Sequence, residues 1–216
     1  MRLKRYFLNG YSLLLLVSIP IAVSCGLFAE DIVRIALGAQ WNASVPIFRW
    51  LAPTILTSAI ISPFGWFIYS LGMPGRGLSM ALVLTPALIC GCFYGLQYGP
   101  LGVAQAYSIV MLLWVGPAII WSIHGTILSL TEILRTLYWP TTAGIISGFA
   151  ALRASVLFEP LTPILRLTFE EAVLLLVYVA VIFSRSKYRQ LCKNILSGIS
   201  SMNDDMPRNE ARSAIN

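Results

Sequence analysis

LSMALVLTPALICGCFYGLQYGPLGVAQAYSIVMLLWVGPAIIWSI, residues Leu78 to Ile123, holds no Asp, Glu, Lys or Arg. A helix needs about 20 mostly apolar residues to cross the hydrocarbon core of a bilayer, so this run is long enough to cross twice. The turn Tyr98-Gly99-Pro100-Leu101-Gly102 divides it, and the spacing predicts one span over about 78–98 and another over about 103–123. Residues 51–74 also lack charge, giving a span over about 44–70 that ends at Gly72-Met73-Pro74-Gly75-Arg76-Gly77. Residues 7–28 do the same after Arg2, Lys4 and Arg5, for a span over about 10–29. Toward the C-terminus two more apolar runs predict spans over about 138–158 and 167–184. The fold class read from the sequence is therefore all-α: a polytopic integral membrane protein with six transmembrane helices.

Composition excludes the soluble alternatives. Hydrophobic residues make up 57% of the 216, charged residues 11%, and mean hydropathy is +0.78. A soluble domain carries roughly 25% charged residues, so this chain could not cover a water-facing surface. The net charge of +6 forms no basic stripe of the kind nucleic acid requires; the basic residues flank the spans instead. Cys25, Cys90, Cys92 and Cys192 show no metal or redox spacing and read as packing thiols. The stretch Ala22-Val23-Ser24-Cys25 after a basic start resembles a lipoprotein cleavage site, but the apolar run continues through Ala29 to spanning length.

Sidedness follows from Lys and Arg near the span ends. One side holds Arg2, Lys4, Arg5, Arg76, Arg135, Arg185, Lys187, Arg189 and Lys193. The other holds Arg34, Arg166, Arg49 and Arg153 with Glu30, Asp31, Glu159, Glu170 and Glu171. Both termini are expected in the cytoplasm. Between the fourth and fifth spans, Ile127, Leu130, Ile133, Leu134 and Leu137 recur at helical spacing, which predicts an interfacial helix over Thr126–Leu137. Residues 1–196 form the membrane bundle, and 197–216, polar and short of large apolar groups, are expected to be a disordered cytoplasmic tail.

Within the spans, Pro20, Pro46, Pro53, Pro63, Pro86 and Pro117 each remove a backbone hydrogen bond, a mark of the bent helices found in transporters. Gly91, Gly95 and Gly99, and Gly144 with Gly148, form G-x-x-x-G steps that let helices approach closely. Arg49 and Arg153 are the two charges inside spans. Each either lines a hydrated cavity and contacts an anionic group such as a phosphate, or anchors its helix at the headgroups by snorkelling. His124 ends the fourth span without an acidic neighbour and reads as interfacial. Glu30-Asp31 and Glu170-Glu171 sit at span ends, where water is expected to keep them ionised. No nucleophile elbow, phosphate loop, metal cluster or cofactor motif is present, so an enzyme is not expected.

The order Leu37-Gly38-Ala39-Gln40-Trp41, Val45-Pro46-Ile47-Phe48-Arg49-Trp50-Leu51-Ala52, Gly65-Trp66, Ser70-Leu71-Gly72 with Arg76, and Tyr98-Gly99-Pro100-Leu101-Gly102-Val103-Ala104 carries more than composition. It resembles the C-terminal half of bacterial polysaccharide-export flippases, in the multidrug/oligosaccharidyl-lipid/polysaccharide exporter superfamily. The resemblance runs over about Ser12 to Ser184. It implies one part of a two-lobed transporter that alternates access and moves undecaprenyl-diphosphate-linked oligosaccharide repeat units across the bacterial inner membrane. It further implies that the first lobe lies outside this chain or in a partner half, and that Arg49, inside the matching stretch, meets the diphosphate. Arg153 lies where the family pattern is loose. The competing expectations are a multidrug or cation antiporter of the same superfamily and a scaffold subunit that transports nothing.

Overall fold

The computed structural model describes residues 2–158, 162–185 and 188–189; the tail over 197–216 and Cys192 lie outside them. The elements are α1 (Arg2–Leu27), α2 (Ala29–Leu37), a 3₁₀ segment (Ala39–Ser44), α3 (Val45–Ser70), α4 (Pro74–Gly95), a 3₁₀ turn (Leu96–Tyr98), α5 (Gly99–Ile123), α6 (Leu130–Phe158) and α7 (Pro163–Phe183). The described chain is all-helical. Three stretches, Leu3–Leu27, Ala39–Ser70 and Pro74–Ile123, are long and apolar enough to cross a membrane. The third contains two helices, because the chain reverses at Gly99, whose φ of 73° and ψ of −166° are open essentially only to glycine.

By contact the chain divides into Met1–Tyr178 and Val179–Asn216. In the second unit the end of α7 closes through Ser184 N–H to the Ala180 carbonyl at 3.1 Å and Arg185 N–H to that of Ile182 at 3.2 Å. In the first unit α5 packs between α3 and α4, and α1 packs between α3 and α6. Water does not drive helices together inside lipid, so close packing must do so. At one end of the bundle an aromatic cluster supplies it. The Phe7 ring lies 4.8 Å from Phe67 and 5.6 Å from Phe64, and Tyr11 lies 5.5 Å from Phe64. The same end joins Lys4 to Glu132 at 2.7 Å and Arg76 to the His124 carbonyl at 2.6 Å.

The structure alters three sequence expectations. First, Thr126–Leu137 is not a separate interfacial helix: α6 begins at Leu130 and runs unbroken to Phe158. The Glu132 carboxylate reaches back to the Ser129 N–H at 3.4 Å, half of a capping box that starts the helix there. Nothing in the next two turns breaks it, and Ile133 and Thr136 are buried. Second, not every proline in these segments removes a helix hydrogen bond. Pro46 sits in the first turn of α3, where a missing N–H costs nothing. Pro53 and Pro63 fall inside a continuous α3, and nearby hydroxyls bond backbone carbonyls, Thr54 to Leu51 at 2.5 Å and Thr57 to Thr54 at 3.0 Å. Third, the segment after α1 forms α2 and the 3₁₀ segment. The sequence reading assigned it no structure.

Candidate functional site

At the end of the bundle opposite the aromatic cluster, α1, α2, α3, α6 and α7 surround an open cavity of about 420 Å³. Leu27, Phe28 and Leu152 supply its apolar lining, and Phe28 also belongs to a buried cluster with Ala151 and Leu174, packed with Val23, Leu27 and Ile32. α2 buries Ala29 and Val33 against Val45 and Phe48, while Asp31, two residues from each and so on the opposite side of the helix, lines the cavity. Asp31 is 3% exposed. It accepts two hydrogen bonds from Arg166 near the start of α7: Arg166 Nε donates to Oδ2 at 2.7 Å, and Nη2 donates to Oδ1. That bidentate fork is the strong form of an Arg–carboxylate pair.

One turn along α7 from Arg166, Glu170 lines the same cavity and is 3% exposed. Its Oε2 is buried and meets no hydrogen-bond donor among the described residues. This corrects the expectation that water solvates the Glu170-Glu171 pair. Glu171 accepts a hydrogen bond from Ser24 of α1, so α7 is fastened to its neighbour through one glutamate and turns the other inward. Arg49, in the second turn of α3, lines the cavity with its side chain exposed, and no carboxylate pairs with it among the described residues.

Arg153 lies elsewhere. Its guanidinium sits 4.9 Å from the centroid of the exposed Phe149 ring one turn earlier, a cation–π contact on the outer face of α6. The structure therefore brings Arg49 to the cavity and does not bring Arg153 there.

The glycines divide by role. A Cβ on Gly95 would lie 2.5 Å from the Gly102 carbonyl oxygen, and one on Gly91 2.8 Å from Val110 Cγ2. α4 and α5 touch backbone to backbone there. Gly144 and Gly148 meet α1, with Cβ positions 2.5 Å from Ile19 Cγ2 and 2.9 Å from Val23 Cγ1. Gly99 is no packing residue, since nothing lies within 4 Å of its Cβ position; it serves the turn. Gly102, read at first only as part of that turn, is the real partner of Gly95.

Sequence reasoning found Arg49 and missed the Asp31–Arg166–Glu170 arrangement. The available signal was the four-residue spacing of Arg166 and Glu170, which puts both on one face of a helix. No family model, curated protein or solved structure matches the chain.

Proposed function

We propose that the chain is the C-terminal portion of a flippase that carries undecaprenyl-diphosphate-linked oligosaccharide repeat units across the bacterial inner membrane for surface polysaccharide synthesis. The observation that carries this reading is a cavity lined by charged side chains at one end of a bundle of long apolar helices, in which Arg49 pairs with no carboxylate among the described residues. In this reading α1, α3, α4, α5, α6 and α7 make six spans with both termini in the cytoplasm. The sugar head passes through hydrated space between this lobe and a second one, the polyprenyl tail stays in lipid, and Arg49 offsets diphosphate charge. The resemblance over Leu37–Ala52 supports the assignment. Deleting the gene should strand lipid-linked repeat units on the cytoplasmic leaflet and remove surface polysaccharide, and Arg49→Ala should weaken complementation. Unchanged precursor and polysaccharide levels would sink the reading.

A second reading, a multidrug or cation antiporter of the same superfamily, is favoured by one observation. An antiporter needs a carboxylate within its membrane-spanning region to couple ion movement, and Glu170, inside α7 and 3% exposed, is the candidate for that role. It predicts that Glu170→Gln sensitises cells to lipophilic cations while leaving surface polysaccharide intact.

A further inference from the structure

We propose that the cavity at the α1–α2–α3–α6–α7 end is a binding site for a ligand bearing both a phosphate and a protonated amine, as in phosphoethanolamine. This does not rest on the transport reading. Five charged side chains line the cavity: Glu30, Asp31, Arg49, Arg166 and Glu170. Asp31 and Arg166 satisfy one another. That leaves a cation on the α3 side, Arg49, and a buried acceptor on the α7 side, Glu170 Oε2, without a donor among the described residues. Glu30 adds a second acidic group.

A purely anionic ligand would satisfy Arg49 and be repelled by Glu170 and Glu30. A purely cationic one would leave Arg49 facing like charge. A ligand with both signs answers both walls, its phosphate on the Arg49 guanidinium and its ammonium on Glu170. An ammonium has three donors to offer a buried carboxylate. A metal ion fits the acidic side poorly, because hard cations take about six or more oxygen ligands and no trio of metal-binding side chains converges among the described residues. The volume, about 420 Å³, lies within the usual range of small-ligand sites, about 300–1,000 Å³. Leu27, Phe28 and Leu152 also line the cavity and give it an apolar margin, suited to the glycerol and acyl attachment of a headgroup. The same chemistry reaches the site from a membrane lipid or as a free phosphoamine.

The test uses the full chain reconstituted into bilayer discs of equal phosphatidylethanolamine and phosphatidylglycerol, then extracted, with retained lipid counted by mass spectrometry. Phosphatidylethanolamine should be enriched about tenfold, the factor expected of one charge-assisted hydrogen bond to a buried group. Glu170→Gln should bring the ratio near unity, and Arg49→Ala, on an exposed side chain, should reduce retention of both lipids. In a second arm, O-phosphoethanolamine and inorganic phosphate are added to the detergent-purified chain. A rise in melting temperature with the phosphoamine alone, without lipid enrichment, identifies the free compound as the source and supports the site. The inference is overturned if the wild-type chain neither enriches phosphatidylethanolamine nor distinguishes phosphoethanolamine from phosphate. It is equally overturned if Glu170→Gln, still folded by circular dichroism, keeps the preference.

Discussion

Asp31 and Arg166 stand 135 residues apart in the chain and meet in a two-pronged ion pair. The carboxylate side chain is 5% exposed and the guanidinium 24%, so the pair is buried on one side and partly wet on the other. Removing one member of a buried pair costs about 3–5 kcal/mol because the other is left charged and unpaired. Asp31→Asn is expected at the lower end, about 3 kcal/mol, since Arg166 retains some water. It should lower the melting temperature in detergent, and the swap Asp31→Arg with Arg166→Asp should recover part of the loss. A single variant melting with the wild type would mean the pair carries no stability. Tyr11 presents the opposite case. Its ring is 1% exposed and packs on Phe64, while its hydroxyl is buried with no partner among the described residues. Tyr11→Phe keeps the packing and removes the unmet donor, so it should be neutral or stabilising by about 1 kcal/mol. A clear loss of stability on thermal denaturation would show that the hydroxyl is satisfied after all.

At the scale of elements, the contact of α4 with α5 depends on the absence of a side chain at Gly95. A methyl there would meet the backbone of Gly102 and Val103 at 2.5–2.9 Å, and backbone cannot swing aside as a flexible side chain does. Gly95→Ala should therefore force the hairpin apart and cost about 3 kcal/mol, the upper end for overpacking. Gly116, inside α5 with nothing within 4 Å, is the control. Gly116→Ala should stabilise by up to about 1 kcal/mol through helix propensity alone. The two variants compared by thermal unfolding separate close approach from propensity, and equal effects would show that propensity alone governs both sites. α3, α4 and α5 were legible in the sequence because long charge-free runs and turn glycines bound them. α2 was not, because Glu30, Asp31 and Arg34 punctuate its nine residues and mask a short helix. The start of α6 was misplaced because one periodicity fits both a helix lying on the interface and the first turns of a long one. The choice is made by contacts from α1, such as Lys4 to Glu132. Arg49 was legible as a lone charge in an apolar stretch, whereas Glu170 became informative only once α2 and α7 had brought Asp31 and Arg166 together.

For the whole molecule, the distribution of charge between the two ends of the bundle has a consequence that can be read in cells. One end gathers Lys4, Arg76, Glu132 and Arg135, with His124 beside Arg76. The other gathers Glu30, Asp31, Arg49, Arg166, Glu170 and Glu171, where acidic residues offset the basic ones. Membrane insertion keeps short loops rich in Lys and Arg in the cytoplasm, so the Lys4–Arg76 end is expected inside and the cavity end outside. Gln40, in the 3₁₀ segment at the cavity end, and Ser129, just before α6 at the other, are both exposed. After Cys25, Cys90, Cys92 and Cys192 are replaced by Ala, Gln40→Cys should react with a membrane-impermeant maleimide in intact cells. Ser129→Cys should react only once the membrane is opened. The reverse pattern would invert the orientation and put the cavity in the cytoplasm. Labelling of both from outside would mean that the helices between them do not cross an odd number of times, and the six-span arrangement would fall with it.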